Sequence, residues 1–250
     1  MTDIKAFLDE WVERINIPAY IEKDPVQFPL RFSKPEDIEV ASFLTATITW
    51  GNRRMILNSA EKMFAKMGES PFDYILSKGY ENLLTDNIHR TFFEHDLRYL
   101  CKGLNAYYTS TGKSLENVFV ESETLWDGIS EFRRLMAVGN NGHLSKHVSN
   151  PQAKSACKRL HLALRWLVRN DGIVDTGIWK KIAPSKLFIP LDVHVGRISR
   201  ELGLLTRNQN DRAAVESLTA ILSGYCPEDP VKYDFALFGI GESGVNLSSL

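Results

Sequence analysis

The chain has 250 residues, 44% of them hydrophobic and 24% charged, with a formal net charge of −1. That much apolar material can fill one large domain or two lobes, which excludes a disulfide-stapled miniprotein, and no run of about 18 apolar residues is present to cross a membrane. Three scattered cysteines, Cys101, Cys157 and Cys226, form no C-x-x-C pair and read as reduced thiols of a cytoplasmic protein, while the acidic start MTDIKAFLDEWVER is unlike a signal peptide.

Ile4, Phe7, Leu8, Trp11, Val12 and Ile15 recur at helical spacing and predict a one-sided helix that stops before Pro18. Residues 19–32, with Pro25 and Pro29, read as an extended connector. Ser33-x-x-Glu36 with Pro35 has the form of a capping box opening a helix through Val40, Phe43, Leu44 and Ile48. A helix from Asn52 to Met67 follows, stopped by Gly68. Leu97, Leu100, Leu104 and Tyr108 mark another, and Leu125, Ile129, Phe132 and Met136 the next, with breaks at Gly112 and Gly139. Asn150-Pro151 looks like a cap and first turn, predicting a long helix with Ala156, Cys157, Leu160, Leu164, Leu167 and Val168 on one side. LFIPL (187–191) is an extended apolar segment, and Asp192, Asn210 and Asp229-Pro230 are expected to cap three further helices. The expected fold class is all-α.

Charge is segregated along the chain. Between Asn150 and Arg212 twelve Lys/Arg stand against five acids, an excess of +7 that the flanks must offset. Lys158, Arg159, Arg165 and Arg169 read either as a solvated helix face or as phosphate contacts, and the basic neighbourhood favours the second. In LFIPLDVHVGRISRELGLL the apolar run delivers Asp192 to the start of a helix carrying Arg197 and Arg200. The free N–H groups and positive end of a helix hold such a carboxylate ionised at a fixed place, whether it only caps or also serves a site.

The pattern Asp192-x-His194-x-x-Arg197 resembles the signature helix of the helix-hairpin-helix (HhH-GPD) DNA glycosylases, the superfamily of endonuclease III and the 8-oxoguanine glycosylases. VASFLTATITWGNRRMILNSAEKMF (40–64) is similar to their early helix pair, and DPVKYDFALFGIGES (229–243) to their closing helix. In KRLHLALRWLVRNDG and IPLDVH the chain is similar to an uncharacterised bacterial branch, the domain of unknown function 2400. The resemblance implies a single two-lobed helical unit over residues 1–250, with a central lobe at 38–165, a second lobe from 1–37 plus 186–250, and a cleft between them. It implies double-stranded DNA as partner, a base flipped out of the stack, and cleavage of its N-glycosidic bond with Asp192 stabilising the cationic transition state or activating the nucleophile. Arg159, Arg165, Arg197 and Arg200 would contact DNA. So would Trp50, Asn52 and Arg53, from the loop that fills the gap left by the flipped base, although Trp50 suits a hydrophobic core as well. Trp179 and His194 would line the base pocket.

The sequence also departs from that superfamily. Its glycine-rich hairpin before the aspartate is missing, and the nearest counterpart, NPQAKSACKR (150–159), lies further upstream, as in an archaeal 8-oxoguanine branch with a longer insert. Lys154 and Lys158 in that segment are the candidate Schiff-base nucleophiles, unless they are simply solvated or phosphate-contacting. Only Cys226 lies near the C-terminus, which excludes the iron–sulfur cluster of endonuclease III. No cofactor or metal is expected: His143 and His147 have i, i+4 spacing but no third ligand, and Asp175 in VDTG imitates the superfamily's Val-Asp-Thr-His without the His. Two other readings stay open, nucleic-acid binding on this scaffold without chemistry, and a helical domain for an acidic partner. A monomer is the default expectation.

Overall fold

Helices make up most of the described residues, as the periodicity predicts. The computed structural model describes residues 3–247, and no helix there is long and apolar enough to cross a membrane. The chain divides into two units, one formed by Met1–Glu22 with Pro151–Leu250 and the other by Lys23–Asn150. The first unit begins with α1 (Ile4–Ile15) and the short α2 (Pro18–Ile21). The second holds α3 (Pro35–Thr47), α4 (Arg53–Ala65), α5 (Pro71–Leu76), a hairpin of β1 (Asn87–His89) and β2 (Phe92–Phe93), α6 (Glu94–Thr111), α7 (Glu116–Val120) and α8 (Leu125–Val138). The chain then returns to the first unit with α9 (Lys158–Val168), α10 (Val193–Glu201), α11 (Arg212–Tyr225) and α12 (Tyr233–Ser243).

In the unit of residues 23–150, α3 is buried on every side from Asp37 to Thr47. Its core is aromatic: the Phe43 ring stacks on Phe132 at 4.8 Å. Burying this helix also buries Glu39, 2% exposed, and a buried carboxylate needs donors. Three reach it: the Tyr108 hydroxyl at 2.7 Å, the Ser114 hydroxyl at 2.5 Å and the Leu115 N–H at 2.9 Å. Glu39 thereby ties α3 to α6 and to the turn entering α7. Burial, with this carboxylate beside it, pushes the Tyr108 phenol well above its ordinary range.

In the other unit α12 is the central helix, buried from Tyr233 to Leu237 and again at Gly239 and Ile240. It packs against α1 and α10. The Tyr233 hydroxyl donates to Asp9 of α1 at 3.0 Å, and Lys232 pairs with the same carboxylate at 2.9 Å. Burial alone would raise the Asp9 carboxyl, but hydrogen bonds from Lys5, Lys232 and Tyr233 outweigh it and hold it at about 2.

The structure departs from the expected elements in particular places. The connector at 19–32 contains the end of α2 and two 3-10 turns, Pro25–Gln27 and Pro29–Arg31, each opened by a proline whose fixed φ suits a first turn. No Ser33 box forms: Lys34 precedes α3 without a side-chain cap, and Asp37 instead accepts from the Ser70 hydroxyl and the Phe72 N–H, both at 2.8 Å. Pro151 opens only a 3-10 turn to Ala153, because Lys154 turns left-handed at φ 60, and α9 starts later, after Cys157 at φ 47. Asp211 rather than Asn210 caps α11, and Asp229-Pro230 leads through a 3-10 turn into α12. Residues 151–168 belong with the chain's two ends, not with the central lobe expected at 38–165, and residues 23–37 join the central unit.

Replacing Glu39 by Ala should lower unfolding free energy by about 3 kcal/mol, since three donors lose one buried charged acceptor. Tyr108→Phe, which removes one donor and leaves the carboxylate two, should cost about 1 kcal/mol. Urea denaturation of the two variants tests the ranking.

Candidate functional site

The extended run before Asp192 is buried at Leu187, Ile189 and Leu191, and the Ile189 N–H donates to the Thr219 hydroxyl of α11 at 3.1 Å. This fixes the chain as it enters α10. The half-buried Asp192 carboxylate accepts from the N–H groups of His194 at 2.8 Å and Val195 at 2.9 Å, as an N-cap does. Its backbone carbonyl accepts from the Asn210 amide at 2.9 Å, and Asn210 in turn accepts from Arg200 at 2.6 Å. Gly196 makes room for this brace, because a Cβ there would meet the Asn210 oxygen at 2.5 Å. Arg200 also donates to the Arg207 carbonyl at 2.8 Å. It therefore braces the Asp192 turn, and its guanidinium is directed at the protein rather than outward to DNA. His194 and Arg197 are exposed on α10, with Arg197 paired to Glu201 at 2.8 Å.

The same unit holds a buried ionic network. Arg165 pairs with Asp234 of α12 and with Asp175 at 3.2 Å. Arg169 pairs with Asp175 at 3.0 Å and with Asp171 and Asp229 at 2.7 Å each. Both guanidiniums lie against the Phe235 ring, at 4.3 and 5.2 Å from its centre. Two cations thus serve four carboxylates, and at 2% and 4% exposure neither arginine can face a phosphate. The expectation that Arg165 and Arg169 form a DNA-contacting face is corrected here: what looks like one side of a basic helix is a core that carries its own counterions. Asp175, dismissed in the sequence as an imitation motif, is one of those counterions.

Burial pushes Asp234 up to about 6, with Arg165 and Lys158 opposing and Asp192 reinforcing the rise. Asp192 and Lys158 therefore act on one buried carboxyl. Lys158, half-exposed at the first position of α9, is the lysine brought into this electrostatic neighbourhood; Lys154 is exposed, its backbone carbonyl accepting from Arg212 N–H at 3.0 Å. Arg159 is half-buried, and burial pushes its pKa down. Trp179 is 2% exposed, with its backbone N–H bonded to the Leu167 carbonyl at 2.8 Å, so its ring is core and offers no face to a base. The sequence reading missed Asp234 altogether and the partners of Asn210 and Asp175, which it took for a helix cap and an imitation motif. A signal existed: Arg165 and Asp234 each sit within an otherwise apolar helical run, and a charge buried in such a run requires a partner.

In the other unit, Asn52 caps α4 through the Met55 N–H at 3.3 Å. The half-exposed Trp50 ring stacks on His147 at 5.8 Å and meets His89 edge-on at 4.7 Å. Arg53 is half-buried at the first position of α4. His143 is exposed while His147 is buried, and among the described residues no group of three or more His, Cys, Asp or Glu could hold a metal ion.

The raised Asp234 has a measurable consequence. Its folded value of about 6 exceeds the ordinary 3.8, so the folded state holds a proton through that window and stability from this group is lost as pH rises across it. Asp234→Asn mimics the protonated form and removes the dependence. The stability of wild type relative to that variant should fall by up to about 3 kcal/mol between pH 4 and 7, as read from denaturation at both pH values.

No curated protein and no solved structure matches the chain. One family model does match, over residues 24–243, a span that includes Asp192, Asn210, Asp234 and the whole ionic network. The chain belongs to the family described as "Protein of unknown function (DUF2400)".

Proposed function

We propose that the protein is a DNA base-excision enzyme of the glycosylase type, with Asp192 as its essential carboxylate. The observation that carries this reading is the anchoring of Asp192: half-buried, and held by two N–H donors and an asparagine brace. A carboxylate so held cannot swing away as charge develops, which is the requirement for stabilising an oxocarbenium-like centre. The Asp192-x-His194-x-x-Arg197 resemblance to helix-hairpin-helix glycosylases supports the same reading. In hydrolysis the C1′–N bond breaks, the base leaves with the electron pair and gains a proton, and water adds at C1′ while Asp192 offsets the positive charge. In a lyase variant of the reaction a lysine amine displaces the base at C1′, and Lys158, half-buried at the first position of α9, is the candidate over the exposed Lys154.

Single-turnover release of a damaged or mismatched base from lesion-containing duplexes is the test. Wild type should release one base, and Asp192→Asn should slow it at least about 100-fold while leaving DNA affinity within about twofold. Borohydride should trap an adduct that Lys158→Ala abolishes and Lys154→Ala preserves if the lyase route operates. Failure to release any base in the panel, or an unchanged rate in Asp192→Asn, overturns the proposal.

A further inference from the structure

Within residues 23–150, α4 and the β1–β2 hairpin border an open groove of about 420 Å³. Arg54, Lys62 and Arg90 line it, and no carboxylate does. All three cations are exposed and none forms an ion pair among the described residues, in contrast to Arg31, Lys34 and Lys66 of the same unit, which have acidic partners. Three like charges around one groove repel each other until an anion enters.

The groove is built rather than incidental. His89 of β1 is buried, its Nε2–H donating to the Trp50 carbonyl at 2.8 Å and its Nδ1 accepting from the Ser59 hydroxyl at 3.0 Å, so it ties the hairpin to the loop before α4 and to the middle of that helix. Burial pushes the His89 pKa down, which keeps this brace neutral. Arg90 takes the left-handed conformation at the hairpin turn, φ 52, and lays its side chain over Gly51. Gly51 is itself at φ 95, and a Cβ there would meet the Arg90 guanidinium at 2.7 Å. The position of the Arg90 head therefore depends on a glycine opposite it.

We infer that this groove holds a single nucleic-acid strand by its phosphates. Arg54, Asn58 and Lys62 recur every four residues along one face of α4, so the two cations are about 12 Å apart along the axis, further than one phosphate group extends. A polyanion fits that separation. Between them Asn58 offers both donors and acceptors, and Met55, 46% exposed, offers an apolar contact, which suits base edges and faces better than an acidic peptide. The choice of nucleic acid among polyanions rests on the base-excision reading above; the anion groove stands on this unit alone.

Anisotropy titration of a fluorescein-labelled oligothymidylate at several salt concentrations tests it. Wild type should bind, and Arg54→Glu with Lys62→Glu should weaken affinity at least tenfold. Arg54→Gln with Lys62→Gln, which keeps volume and removes only charge, should reduce the slope of log K against log salt by about 1.4, the value for two lost single-strand phosphate contacts. An unchanged thermal midpoint confirms that the variants are folded. Unaltered affinity and slope in both double variants, or no binding by wild type, overturns the groove; displacement of the oligonucleotide by polyglutamate at equal charge concentration overturns its assignment to nucleic acid. Weakened binding in the groove variants together with no base release by wild type leaves the groove standing and removes the enzyme, whereas base release lost only in Asp192→Asn with unaltered groove affinity does the reverse.

Discussion

Two guanidiniums in a hydrophobic core must be neutralised there or not be there at all. Arg165 and Arg169 meet that demand with aspartates from the loop after α9, from the turn before α12 and from α12 itself. The network reaches α1 as well, since Asn16, at the end of that helix, donates to Asp171 at 2.6 Å. Removing one member of a buried pair strands the other's charge, so each segment is held to its position by the desolvation cost of leaving it. Such a network specifies arrangement more than it adds stability, because a well-packed apolar replacement would serve stability equally well. What it specifies here is how α9 and the loop after it join α12, the helix that packs against α10, which Asp192 caps.

The excess of carboxylates over guanidiniums gives that network its chemical character. With two arginines among four aspartates, burial raises Asp234 and Asp175, while Asn16 and Arg169 outweigh burial and lower Asp171. Environments that push like groups apart allow one carboxylate to stay charged and another to keep a proton at mildly acidic pH. In the other unit the imbalance has the opposite sign, three unpaired cations along a groove. The near-zero net charge of the chain conceals both.

Long periodic stretches and end signals were legible in the sequence: α1, α4 from its Asn52 cap, α8, and α10 from its Asp192 cap. Short elements were not, because α5, α7 and the seven-residue hairpin lie below the length at which periodicity can be distinguished from chance. The start of α9 was misplaced because Asn150-Pro151 satisfies every local rule for a helix start, and what overrides them is two left-handed residues, Lys154 and Cys157, of types that do not announce that conformation. The candidate site was half visible. Asp192 followed from a local cap, whereas the partners of Arg165 lie as far as 69 residues away, and a sequence cannot distinguish an arginine facing water from one facing distant aspartates.

One unit is interrupted by the other, and this sets an order on synthesis. α1 leaves the ribosome well before α12, yet it is α12 that α1, with its buried Leu8, Trp11 and Val12, packs against. At ordinary elongation rates that wait is roughly 10–50 s, during which residues 23–150, continuous in sequence, have time to close on Glu39. The nascent chain therefore carries a greasy helix tethered to a finished neighbour, and its shielding over that interval falls to chaperones or to transient local collapse.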